Sequence, residues 1–224
     1  MKSLATYFIV SFLAAFMFTG CMAPQSAVLY DVGLDAVERP ADVEDRYGDY
    51  SVTQQEEDDE TAKFVYEDEM LKATWLYTGE LVFQVENKTD HSLRILLEEG
   101  AFVMPSGSSN RILTGNMSYA ERNDAPSPII VPRQATAEAI LIPSIALSFN
   151  RHTGVSVRGI VSPDRIENNQ EVDGVRSAVG QTFSILLPIQ IQETVNDYTF
   201  TFHVRGAHIE GGTDIEEQSF GSME

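Results

Sequence analysis

Phe183-Ser184-Ile185-Leu186-Leu187-Pro188-Ile189-Gln190-Ile191-Gln192-Glu193-Thr194-Val195-Asn196-Asp197-Tyr198-Thr199-Phe200-Thr201-Phe202-His203-Val204 is the stretch that decides the fold class. Phe183, Ile185, Leu187, Ile189 and Ile191 fall on one side of an extended chain, and so do Tyr198, Phe200, Phe202 and Val204. A period of two is that of half-buried strands, because successive side chains of a strand point to opposite faces. With residues 193–197 as the connection, the two runs predict a long antiparallel hairpin. Pro188 has no N–H to give to a ladder, which predicts that its strand lies at an edge or bends there.

The same period runs upstream. Leu71, Ala73, Trp75 and Tyr77 oppose Lys72 and Thr74, and Leu81, Phe83 and Val85 oppose Glu80, Gln84 and Glu86, with Thr78-Gly79 as a tight turn between them. After the turn residues Asn87-Lys88-Thr89-Asp90, the alternation of Leu93, Ile95 and Leu97 with Arg94 and Glu98 predicts a third consecutive antiparallel strand. Shorter apolar runs at 101–104, 111–113, 129–131, 137–142 and 155–161 are separated by Gly, Pro and Asn clusters. Such spacing predicts an all-β domain over residues 61–206 rather than βαβ units. No internal repeat and no amphipathic helix is evident in it. In strand count and hairpin order, residues 63–204 resemble an immunoglobulin-like or fibronectin-like antiparallel β-sandwich. They lack the Cys-Trp-Cys arrangement of immunoglobulin domains, since Trp75 is the only tryptophan and the domain has no cysteine.

The N-terminus has a different character. Lys2 precedes an uncharged apolar run at 4–18, followed by Phe18-Thr19-Gly20-Cys21, the layout of a secretory signal over residues 1–20. The run is short for a membrane span and is followed by no basic stop signal. Cys21 is the only cysteine of the chain, and a solitary exported thiol has no partner with which to form a disulfide. Phe18-Thr19-Gly20-Cys21 resembles the lipobox of bacterial lipoproteins, departing from it at Phe18, where leucine is usual. The resemblance implies lipidation of Cys21 and attachment to the cell envelope. Met22 in place of aspartate after the cysteine implies the outer membrane under the sorting rule known for such proteins. Several acyl chains make that attachment stable, each buried methylene contributing about 0.8 kcal/mol.

Residues 21–60 are poor in large apolar side chains and end in Gln54-Gln55-Glu56-Glu57-Asp58-Asp59-Glu60, which predicts a flexible acidic linker. Residues 207–224, rich in Gly, Ser and acid, predict a flexible tail. A net charge of −19 over 224 residues argues against nucleic acid as a partner and leaves lipid, not charge, to hold the chain at a membrane.

Chemistry-bearing motifs are scarce. There is no Gly-x-Ser-x-Gly elbow, no phosphate-cradling loop and no dinucleotide fingerprint, and Pro105-Ser106-Gly107-Ser108-Ser109 reads as a turn. The four histidines, His91, His152, His203 and His208, lack zinc spacing, and a site at the last two would need Glu210 or Asp214. The expectation is therefore no catalytic residue, no metal and no cofactor. Two long irregular stretches are candidate contact loops, 114–128 with Met117, Tyr119 and Arg122, and 162–180 with Arg165 and Arg176. Two functions stay open: a non-catalytic, membrane-anchored module that binds an envelope protein, or an envelope hydrolase or carbohydrate-binding protein using loop carboxylates.

Overall fold

A computed structural model of the chain describes residues 26–40, 46–56, 62–118, 120–150, 154–166, 169–210 and 214–216. The chain is all-β in these parts, with sixteen strands among the described residues. The signal-like segment and Cys21 lie outside them.

The opening stretch forms β14 (Thr182–Ile191) and β15 (Thr194–Ile209), paired from Thr182↔His203 to Ile191↔Thr194. The turn is only Gln192-Glu193, with Gln192 at φ 56°. Residues 194–197, read from sequence as the connection, belong to the strand. β14 is also not an edge strand. Its other side carries β7 (Ala101–Val103) opposite 184–186 and β6 (Leu93–Ile95) opposite 189–191. Pro188 sits at the break between these two partners. Its carbonyl accepts from Leu96 N at 2.9 Å, so its missing N–H faces the gap where the chain turns from β6 to β7.

β3 (Ala62–Glu67), β4 (Leu71–Tyr77) and β5 (Leu81–Asn87) form a meander, and Gly79 at φ 90° makes the β4–β5 turn as its sequence predicts. The third-strand expectation fails in its pairing. β6 keeps its inward Leu93 and Ile95 but pairs with β14 and β9 (Ile129–Val131), while β5 takes β10 (Thr136–Pro143) as its neighbour. A strand's apolar face records burial and not which strand lies beside it, so hairpin succession was the wrong guide.

The acidic linker expectation is corrected more strongly. Within 21–60 lie β2 (Ser51–Glu56), paired along β3, and β1 (Ser26–Glu38), which pairs with β15 over most of its length. Val28, Tyr30, Val32 and Leu34 of β1 are buried, while Leu29, Asp31 and Asp35 point outward. The acids that made the segment look solvated occupy its solvent face. Likewise, residues 207–209 complete β15, and β16 (Asp214–Glu216) pairs with 206–208, where a flexible tail was expected.

The remaining strands of the path are β8 (Ser109–Thr114) and β13 (Arg165–Ile166), and the curled sheet runs β13-β1-β15-β14-β7-β8-β10-β5-β4-β3-β2. β11 (Leu147–Asn150) and β12 (Gly154–Val157) make a separate pair. Curling brings β4 over β15, so that the Trp75 ring lies 4.8 Å from that of Phe200 and 5.3 Å from that of Phe202. The helix α1 (Asn169–Ala178) lies in a stretch whose sequence reads as irregular. It packs through the buried Val175 and Ala178 and is followed by Gly180 at φ 85°, a common helix-ending glycine conformation. No described helix is long and apolar enough to cross a membrane.

Candidate functional site

A cleft of about 820 Å³ lies where the two halves of the curled sheet part. One wall is β1 and the end of β15 with β16; the other holds Ala62 of β3 and the Tyr77-Thr78-Gly79 turn, with Val161 and Asp164 between them.

Arg205 organises this cleft. Val32 pairs with Val204 and Asp31 with Gly206, so Arg205 is the extra residue of a β-bulge, a device that re-aims a side chain. Its Nη2 donates to Asp31 Oδ1 at 2.6 Å and its Nη1 to Gln54 Oε1 of β2 at 3.1 Å, while its guanidinium carbon stands 5.3 Å from the Phe64 ring centre. One side chain thereby links β15, β1, β2 and β3. Gly33 makes room for it, because a Cβ there would lie 3.0 Å from the guanidinium carbon. Nearby, His208 Nδ1 is 2.5 Å from Asp214 Oδ1 across β15 and β16.

Tyrosines form the polar floor. Tyr30 donates to Pro163 O at 2.7 Å, and Tyr77 accepts from Val161 N at 3.3 Å. Burial pushes the Tyr77 phenol up to about 12, the Val161 amide opposing and Asp164 adding to the rise. Tyr30 is raised by burial and then by Tyr77 and Asp164. At the opposite end of the sheet, Tyr66 is raised by burial and by Asp68, whose Oδ2 accepts a hydrogen bond from its hydroxyl at 2.8 Å, and Tyr198 by burial and by Asp68. A folded-state pKa above the unfolded value of about 10 means stability that is complete below pH 10 and lost as pH rises towards 12 and beyond. Four of the eight tyrosines should therefore stay un-ionised until the protein unfolds. Tyrosinate absorbance followed beside circular dichroism should show a cooperative step in both. Smooth ionisation of all eight near pH 10 with the fold intact would contradict this burial.

Of the residues weighed from sequence, His208 and Asp214 meet here, whereas the contact-loop candidates are not gathered in this cleft. Met117 lines a second cleft, of about 730 Å³, under the 114–128 loop and against Glu138, Ala139 and Ile140 of β10. It also packs on the small cluster of Leu113, Ile142 and Leu147. That loop is held in place. Glu121 accepts from Ser118 Oγ at 2.7 Å and Ser118 N at 2.9 Å, bonds that lower its pKa, and Arg111 donates to the carbonyls of Asn123 and Asp124. Arg122 lies in the 3-10 turn Glu121–Asn123, its side chain outside the described residues, as is Tyr119 altogether. Arg165 is exposed on β13, and Arg176 is exposed on α1, paired with Asp173 at 3.3 Å; neither lines either of these two clefts.

Arg205, Asp31, His208 and Asp214 were not identified as a group from sequence. The signal that could have found them is weak: a glycine inside a strand pattern, Gly33 and Gly206, often marks a bulge or a close approach. No group of three or more His, Cys, Asp or Glu side chains suited to a metal occurs among the described residues. In comparisons with protein-family models, curated proteins and solved structures, the chain has no significant match.

Proposed function

We propose that this chain is a non-catalytic lipoprotein of the cell envelope, lipid-anchored at Cys21 at the outer membrane, that binds an envelope protein through the cleft beside Arg205. The two facing halves of the sheet are read as the layers of an immunoglobulin-like sandwich, a scaffold suited to presenting a site at its end. The observation that carries the binding function is the ion-paired lip of the cleft. Asp31 holds Arg205, a guanidinium that stays charged and gives up no proton, while Asp214 lies 2.5 Å from His208 Nδ1. A fixed ion pair such as Arg205–Asp31 gives a partner surface orientation and specificity. Asp164 and Glu216, which also line the cleft, keep a carboxylate-based hydrolase or a carbohydrate-binding protein as the second reading.

Two measurements test the proposal. In palmitate-fed cells the parent chain should be labelled and sediment with membranes, whereas Cys21→Ser should lose the label and at least tenfold of its membrane-bound fraction. Labelling that persists in Cys21→Ser would refute the anchor. A photoreactive amino acid at Thr78, on the cleft rim, should give a discrete protein adduct in cells that Asp31→Asn weakens. An adduct unaffected by Asp31→Asn, or none, would remove the cleft from the binding function.

A further inference from the structure

Cys21, the acylation site of the proposed function, is close in sequence to the first described strand, and this limits which end of the domain a lipid there could bring to a membrane. Cys21 precedes Ser26, the first residue of β1, by five residues. Even fully extended, at roughly 3.3–3.6 Å per residue, they span no more than about 18 Å. The end of β1 at Ser26 is also the end where β15 finishes, Val28 pairing with Ile209 and Glu210 N donating to Ala27 O. The other end of β15, at Val195 beside the Gln192-Glu193 turn, is fourteen residues away, roughly 45 Å along a strand. A lipid on Cys21 can bring only the first of these ends to the bilayer.

That end also carries the apolar side chains such a position calls for. Ile145, at 66% exposure, and Leu29, at 63%, are the two most exposed large apolar residues among those described. Leu29 is in β1 beside the cleft. Ile145 lies in the 3-10 turn Ser144–Ala146 that follows β10, whose Leu141 pairs with Leu81 next to the Gly79 turn. Ile160 N donates to Gly79 O, drawing the 158–164 segment to the same end.

We infer that the end of the sheet carrying Leu29, Thr78-Gly79 and Ile145 is the membrane-facing surface of the domain, seated on lipid headgroups with the Arg205 cleft opening beside them. The inference rests on lipidation at Cys21. The charge at this end selects the lipid. Beside the Arg205–Asp31 and His208–Asp214 pairs, Asp164 and Glu216 line the cleft, and Glu56 pairs with Ala62 across a connection whose sequence includes Glu57, Asp58, Asp59 and Glu60. Such an end is repelled by anionic lipid and fits a zwitterionic surface.

The test uses the full acylated chain purified from membranes and reconstituted into vesicles of phosphatidylethanolamine and phosphatidylcholine bearing a headgroup nitroxide quencher. A fluorophore is placed at Thr78→Cys or at Val195→Cys, both exposed positions. With Cys21 acylated, each variant has one free thiol. The expected result is quenching at Thr78 at least threefold greater than at Val195, falling when phosphatidylglycerol replaces half of the lipid. Leu29→Ser with Ile145→Ser should lower the Thr78 quenching while the protein still floats with the vesicles. Equal quenching at the two sites in floating protein would overturn the orientation and leave the anchor standing. Protein that fails to float would overturn both. Quenching unchanged by the double serine variant would overturn the role given to Leu29 and Ile145.

Discussion

Trp75→Ala is expected to cost about 3–5 kcal/mol, the range for deleting a large aromatic side chain from a closed core. Trp75 is fully buried, and its ring lies 4.4 Å from Phe83 on its own half of the sheet and 4.8 and 5.3 Å from Phe200 and Phe202 on the other. It is therefore a contact between halves, and its removal leaves a cavity that neither half can fill without abandoning its strand pairing. Against a typical total stability of about 5–15 kcal/mol, the loss takes a large share of what the fold has. At about 2–4 °C per kcal/mol for a domain of this size, the melting temperature should fall by roughly 6–20 °C, read by circular dichroism. Trp75→Phe supplies the contrast. Trp75 Nε1 is buried with no hydrogen-bond partner among the described residues, so phenylalanine removes an unpaired donor while keeping much of the apolar area. It should cost under about 2 kcal/mol, well below alanine. A Trp75→Ala protein within about 1 kcal/mol of the parent would mean that the halves are not held together there.

The second large effect is polar. Asn87, at the end of β5, is 1% exposed. Its Nδ2 donates to the carbonyls of His91 at 2.6 Å, Pro132 at 2.9 Å and Val131 at 3.1 Å, while its Oδ1 accepts from Thr89 N at 2.9 Å and Thr89 Oγ1 at 2.8 Å. One amide thus fastens the 88–91 turn to the end of β9. Asn87→Ala strips partners from several buried backbone groups, each costing about 1–3 kcal/mol when left dry, and a total near 3 kcal/mol is expected once water reaches some of them. Asn87→Asp is the sharper test. It keeps the shape and the acceptor for Thr89 but turns the donor into an anion facing three carbonyls, which should destabilise at least as much as alanine. Denaturant midpoints should fall in the order parent, Ala, Asp. An aspartate variant as stable as the parent would show that the amide donor is not what holds the turn.

Both residues show how far the sequence could be read. Trp75 was legible as core because it alternates with Lys72 and Thr74 on a regular strand. Asn87 was legible only as a turn residue; that its amide reaches Val131 and Pro132 depends on where β9 lies. β1 was missed although Val28, Tyr30, Val32 and Leu34 do alternate. The bulge at Asp35 breaks that alternation before Val37, and Asp31, Asp35 and Glu38 lend the segment a solvated composition. A strand with one wet face can be half acidic and still be central to a sheet. The helix α1 was missed because it is only ten residues long and has Asn169 and Gly174 within it, which makes it a poor helix former on propensity alone.

By itself the sequence determined the all-β class, the β4–β5 and β14–β15 hairpins, most of the core face and the lipobox resemblance at Cys21, because period-two burial and short motifs are local properties of a chain. Only the tertiary structure decided that β1 completes the sheet beside β15, that β6 joins β14 instead of β5, and that Arg205, Asp31, Gln54 and Gly33 meet. Those outcomes depend on pairing between strands far apart in sequence, where the alternation says which side of a strand is buried and nothing about which strand lies next to it.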